Sequence, residues 1–244
     1  MKQYLNTAIL AIGIIITAAI LGGAWKKSHV RNECISVKGL AKQDFVSDLI
    51  VWNGYFSTRS KSTKEAYTQL KKDAEIIKKY LAGKGVNEKG IVFSSVNIQP
   101  DYEEVRDDDG RVIKTVFKDY ILTQNLKIES KEVDKIENIS REVSELIDLG
   151  VNFISYSPEY YYTKLADLKI KMVSLATEDA RNRAEAIAAN SESSLGNLKK
   201  ADMGVFQITA QNSSDDSYSY GGAFNTSSKN KTVSVTVRLE FEIR

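Results

Sequence analysis

The sequence predicts an α+β fold, and three features of it carry that expectation. Residues 232–243 alternate: Val233, Val235, Val237, Leu239, Phe241 and Ile243 stand against Thr232, Ser234, Thr236, Arg238, Glu240 and Glu242, the pattern of a strand with one buried and one wet face. Three other segments repeat their apolar residues at intervals of three and four, the period of a helix lying on a core. Only two prolines, Pro100 and Pro158, occur in 244 residues, so long elements run with little interruption.

Taken in order, residues 35–39 (ISVKG) are a short alternating strand ending in glycine. Residues 45–58 are a longer strand with Leu49, Val51 and Tyr55 on one face. Asn53-Gly54 ordinarily turns a hairpin, but the apolar pattern continues across it, and a bulge fits equally well. Ser62 opens a helix with capping-box spacing to Glu65; Ala66, Leu70, Ala74, Ile77 and Leu81 form its buried face, and Gly83 and Gly85 stop it. Residues 91–105 are extended, Asp107-Asp108-Asp109-Gly110 turns, and 111–128 returns with Tyr120, Leu122, Leu126 and Ile128 in alternation, which makes a hairpin.

A second helix over 131–149 buries Val133, Ile136, Ile139, Val143 and Leu146 and ends at Gly150. Residues 151–163 are a strand containing Tyr160-Tyr161-Tyr162. A third, long helix over 165–189 carries the stripe Leu168, Met172, Leu175, Ala176, Ala180, Ala184 and Ile187, whose alanines permit close packing. Residues 198–209 form a strand, and 211–230, rich in Ser, Asn, Asp, Tyr and Gly, read as a mobile loop, either a surface excursion or a pore-lining or recognition loop. The order is ββαββ followed by αβαββ, with helices on antiparallel or mixed sheet.

Ahead of this lies an 18-residue run without charge, residues 8–25 (AILAIGIIITAAILGGAW). As a helix it would span about 27 Å, close to the hydrocarbon thickness of a bilayer. Ile9, Ile12, Ile14, Ile15, Ile16, Ile20 and Leu21 supply its apolar surface, and Trp25 before Lys26-Lys27 suits an interfacial anchor. The length of the run favours an uncleaved signal anchor over a signal peptide cut after Ala24. Lys26, Lys27 and Arg31 weigh against export of the C-terminal domain, by the positive-inside rule. Residues 1–30 are therefore read as a transmembrane or signal segment and 31–244 as one folded domain.

The chemistry available to that domain is narrow. Basic and acidic residues number 34 and 32, a balance that argues against a nucleic-acid partner. The single cysteine, Cys34, cannot close an internal disulfide. The only histidine, His29, adjoins the apolar run, so neither a histidine-based triad nor a nitrogen–sulfur metal site is expected in the domain. The Asp107–Gly110 run lacks the closing glutamate of a calcium loop and reads as a solvated turn. No carboxylate pair is placed in a cleft by the pattern, as a glycosidase would require. No catalytic, cofactor or metal residue is assigned. Tyr160, Tyr161 and Tyr162 are the candidate interface residues, with core packing as the other reading of them.

Several pieces together resemble the SIMPL-domain family, also called the domain of unknown function 541, over residues 33–243. These are Ile35-Ser36-Val37-Lys38-Gly39; Gly85-Val86 after a helix, then Ile91; Ile98-Gln99-Pro100-Asp101-Tyr102; Leu149-Gly150-Val151-Asn152-Phe153-Ile154; and Ala176, Ala180 and Ala184 followed by Leu195-Gly196. The resemblance implies an exported α+β protein of the cell envelope. Some members of that family assemble into ring-like oligomers and some are linked to oxidative-stress tolerance; no catalytic residues are established for it. The expectation is a non-enzymatic, membrane-anchored homo-oligomer with a structural or interaction role. Its domain would lie in the periplasm, anchored at the inner membrane or freed if the signal is cleaved. The alternative is a periplasmic ligand-binding module for a peptide, glycan or small molecule.

Overall fold

The computed structural model describes residues 12–22, 34–213 and 219–244. Residues 12–22 form helix α1, about 17 Å long at about 1.5 Å per residue. No helix among the described residues is long and apolar enough to cross a membrane. The rest of the 8–25 run, including Ile9 and Trp25, lies outside them, as does His29. Ile12, Ile14, Ile15, Ile16, Ile20 and Leu21 are all exposed on α1.

The fold is α+β. Eleven strands are described: β1 (Cys34–Val46), β2 (Leu49–Ser60), β3 (Ile91–Phe93), β4 (Asn97–Arg106), β5 (Val112–Ser130), β6 (Phe153–Ser155), β7 (Glu159–Tyr161), β8 (Leu195–Met203), β9 (Gln207–Ala210), β10 (Ala223–Phe224) and β11 (Asn230–Ile243). The helices after α1 are α2 (Thr63–Gly83), α3 (Val133–Glu142), α4 (Glu145–Asp148) and α5 (Leu165–Asn190). One sheet has the order β1-β11-β9-β10, with β8 also on β11. It is mixed, because β10 runs parallel to β9. The other has the order β3-β5-β2-β6, with β4 on β5 and β7 on β2, all antiparallel.

The chain divides into two compact units. The first takes the residues up to Leu40, Leu175–Gly204 and Thr236–Arg244. Here β8 pairs with the second half of β11, from Val237↔Met203 to Ile243↔Leu195. The second half of α5 buries Ala176, Ala180 and Ala184, and the first two of these meet β1. A Cβ added at Gly39 would stand 2.0 Å from the Ala176 carbonyl oxygen and 2.5 Å from the Ala180 nitrogen, so the glycine that ends ISVKG is where helix backbone meets strand backbone. The Leu40 amide beside it donates to Asp179 Oδ2 at 2.8 Å. That bond, then the Arg183 guanidinium, hold Asp179 below its ordinary carboxylate range.

The second unit takes Ala41–Ser174 and Val205–Val235. Its centre is β2, paired with β5 in unbroken register from Ile50↔Ser130 to Ser60↔Tyr120. Ile50, Trp52 and Phe56 of β2, with Leu122, Leu126 and Ile128 of β5, pack against Leu70, Ile77 and Leu81 of α2 and Ile136 of α3 in one core. Burial of side chains of this size is the main driving force for the fold, at about 25 cal/mol per Å² of apolar surface.

Several expectations are corrected in detail. Leu49, Val51 and Tyr55 do share one face of β2, and the face packed into the core is the opposite one, Ile50, Trp52 and Phe56. Asn53-Gly54 is neither turn nor bulge: the ladder passes through Gly54↔Leu126 without a shift. A Cβ there would lie 2.2 Å from the Phe153 ring, so the glycine makes room for β6. Ser62 makes no side-chain cap; Ser60 Oγ instead accepts from the Ser62 amide and donates to Glu65. The 131–149 helix breaks between Glu142 and Glu145, where the Leu146 and Ile147 amides bond carbonyls only three residues back. Its apolar face continues across the break, with Val143 and Leu146 buried, so the period hides it.

The 151–163 strand is two pieces, β6 and β7, either side of Pro158. The 91–105 strand is likewise β3 and β4, and the 198–209 strand is β8 and β9. Leu175 and Ile187 face solvent; the buried stripe of α5 is Leu168, Met172, Ala176, Ala180, Ala184 and Ala188.

Candidate functional site

Two places in the second unit combine unusual exposure with unusual burial. The first is the β4–β5 hairpin. Ladder pairing of β5 with β2 stops at Tyr120, whereas its pairing with β4 continues to Val112↔Arg106. Residues 101–119 therefore extend beyond the sheet as a two-stranded arm, roughly 23 Å long at about 3.3 Å per residue. Directly paired residues share a face. One face presents Tyr102 and Phe117, ring against ring at 5.9 Å, and the other presents Val105 and Val116. Ile113, near the tip, is 65% exposed. Its strands differ in net charge: Asp101, Glu103 and Glu104 outnumber Arg106 on β4, and Lys114 and Lys118 outnumber Asp119 on β5. Pro100 sits on β4, whose described pairing is to β5 alone, as an edge strand permits. The Asp107 turn closes the tip, and its Oδ1 accepts the Asp109 and Arg111 amides, so that carboxylate is committed to the turn.

The second place is Lys231, at the start of β11 and 1% exposed. Its ammonium donates to the Tyr160 carbonyl oxygen and lies 5.8 Å from the centroid of the Phe224 ring. Burial alone pushes it down to about 8. Above it runs the 219–228 segment, which is fastened rather than free. The Gln207 side chain donates to the Ser219 carbonyl and accepts the Ala223 amide, Asn225 N bonds Ile208 O, and Tyr160 N bonds Thr226 O. The described part of the 211–230 loop is thus tied down, and 214–218 lie outside the described residues.

Around Lys231 the carboxylates are engaged elsewhere. Lys229 bridges Asp134 and Glu137 at 2.6 and 2.9 Å, and its hydrogen bond holds Glu137 below the usual carboxylate range. Glu159 accepts from Tyr161. Asp44 accepts from Thr232 and Gln211. Burial resists ionisation of Asp48, but side-chain and backbone bonds from Thr163 outweigh it and leave the carboxyl below its ordinary range.

The three tyrosines proposed as an interface part company. Tyr160 is 7% exposed, and burial, then the neighbouring Glu137, push its phenol up. Tyr161 packs on Phe224 with centroids 6.5 Å apart, and Tyr162 on Phe45 at 5.0 Å. Asp73, in α2, is 5% exposed with Gln69 as its hydrogen-bond donor, and burial raises it. Asp73 and Lys231 carry no motif in the sequence, yet both obey its periods. Lys231 falls on the inward register of Val233 and Val235, and Asp73 lies between Leu70 and Ile77 on the buried face of α2.

The hollows in this unit are open and lined by side chains of both charges. One of them, about 440 Å³, lies beside Ser47, Asp48, Lys131, Asp134 and Lys229. Ser47 is 4% exposed, and its hydroxyl has no hydrogen-bond partner among the described residues. Among the described residues no group of three or more His, Cys, Asp or Glu could hold a metal ion.

Comparison with known proteins gives one finding. A family model described as SIMPL, protein of unknown function (DUF541), matches residues 35–241, most of the 244-residue chain. No curated protein matches the sequence.

Proposed function

The chain belongs to the SIMPL (DUF541) family, and on that footing we propose that it is a non-enzymatic interaction protein of the cell envelope. In this reading the apolar run 8–25 tethers it to the inner membrane, the folded part stands in the periplasm, and copies associate through the β4–β5 arm. The arm is the observation that carries the proposal. A lone two-stranded ribbon is marginal in water, and this one presents Tyr102, Phe117, Val105, Val116 and Ile113 to solvent. A third strand added to its edge would satisfy backbone groups and cover those side chains. A second copy suits it, because an acidic β4 laid beside the more basic β5 of a neighbour brings opposite charges together.

The test is the absolute mass of the full-length protein in mild detergent, by light scattering. A discrete species of more than one chain is expected. The double substitution Ile113→Glu with Val116→Glu, on exposed positions, should reduce it to one chain while leaving the circular dichroism unchanged. A wild-type protein that stays a single chain at high concentration would rule the proposal out. Membrane fractionation with and without residues 1–30, and protease access in spheroplasts, test the tether and its side.

A further inference from the structure

We propose that residues 219–228 are a pH-sensitive strap: the buried ammonium of Lys231 beneath them keeps the strap ready to lift, and loss of that proton fastens it. The geometry carries this. Lys231 is 1% exposed, and its charge meets one backbone carbonyl, that of Tyr160, and the face of Phe224, which belongs to the strap itself. A lone cation so placed is costly to keep dry.

Among the described residues, the other ionisable groups on the surrounding elements do not relieve it. Asp134 and Glu137 of α3 hold Lys229, Glu159 of β7 holds Tyr161, and Asp44 of β1 holds Thr232 and Gln211. The phenols of Tyr160 and Tyr161, pushed up by their surroundings, bring no negative charge near neutral pH. Lifting the strap removes Phe224 and frees the Tyr160 amide from Thr226, and water then reaches the ammonium.

The sign is set by proton linkage. Closed, the lysine titrates at about 8, below its ordinary 10.5; open, it returns toward 10.5. The open form therefore binds more protons between these values, and opening becomes rarer as pH rises through that window. Below about pH 8 both forms are protonated and the opening reaches its plateau. The slope is roughly tenfold per pH unit within the window.

Hydrogen exchange of the Asn225 and Tyr160 amides in the full-length protein, corrected for intrinsic rate, reads the strap directly. Both amides bond across it. Protection in the wild type should be flat from pH 7 to 8 and then climb about tenfold per unit toward pH 9.5. In Lys231→Met it should be high and flat. In Lys231→Arg, which stays charged, it should be low and flat, so a folding failure of one variant still leaves the other. Amides inside α2 serve as the reference for global opening. A flat wild-type profile, or the same slope in both variants, would overturn the proposal, whatever the oligomeric mass proves to be.

Discussion

Replacing Gly39 by alanine tests the closest approach in the fold. The added methyl would sit 2.0 Å from the Ala176 carbonyl oxygen and 2.7 Å from the Ala180 Cβ. Ordinary contact begins near 3.4 Å, so α5 must retreat from β1 locally by about 1.4 Å, the difference between the two values. A gap of even 0.5–1 Å forfeits roughly a quarter to a half of the dispersion contact along the helix. The same retreat would stretch the 2.8 Å bond from the Leu40 amide to Asp179 beyond hydrogen-bonding range.

Overpacking of this kind costs about 1–3 kcal/mol. The lost bond to a partly exposed carboxylate adds about 1 kcal/mol, and relief of the glycine's strand penalty returns about 0.5–1 kcal/mol. The net expectation is about 1–3.5 kcal/mol, centred near 2 kcal/mol. With a urea m-value near 2 kcal/mol per molar, the midpoint by far-UV circular dichroism should fall by roughly 1 M. Lys38→Ala, at the exposed neighbour, should move it by less than about 0.2 M. A Gly39→Ala midpoint equal to that of Lys38→Ala would refute the close approach of helix to strand.

Gly54→Ala should destabilise by about 1–3 kcal/mol, because the Phe153 ring can turn aside but the Ile154 carbonyl, 2.8 Å from the new methyl, cannot; the same urea titration measures it. Asp48→Ala, which frees the Thr163 amide and hydroxyl, should cost about 1–2 kcal/mol at pH 7. Because Asp48 is depressed in the folded protein, its contribution is present above its ordinary value of 3.8 and lost as pH falls through the folded one, so the two proteins should converge in acid. Lys231 acts with the same sign in a higher pH window. Its folded value of about 8 lies below 10.5, so stability should rise from pH 8 to 10.5 by up to about 3 kcal/mol, at about 1.4 kcal/mol per unit, and Lys231→Met should lack that rise.

Much of the candidate site lay within reach of the sequence. The hairpin around Asp107–Gly110 is evident from two extended runs and a turn, and Pro100 marks its edge strand. Its apolar tip was legible only as strand, because alternation assigns faces without saying which are covered. Carrying the alternation of β11 back from Val233 by one step places Lys231 inside, but a single charged residue at the end of a run reads as the run's boundary. The three tyrosines form one sequence motif and yet meet three different neighbours, Glu137, Phe224 and Phe45, contributed by distant parts of the chain.

By itself the sequence determined the kind of each long element, though not the two-residue β10 inside the segment read as a loop. Periods of two and of about 3.6 are local properties of backbone geometry, and they survive in β11, α2 and α5. It determined the family as well, through the order of those elements. Tertiary structure decided what no local period encodes. In β2, a central strand, both faces carry apolar side chains, so alternation gives no sign, and only the arrival of α2 and α3 makes Ile50, Trp52 and Phe56 the inner set. Gly39 and Gly54 are fixed by Ala176 and Phe153, neighbours more than ninety residues away. The charge on Lys231 is tuned because β7 and the strap close over it: desolvation depends on everything around a group, and the chain supplies that only once it has folded.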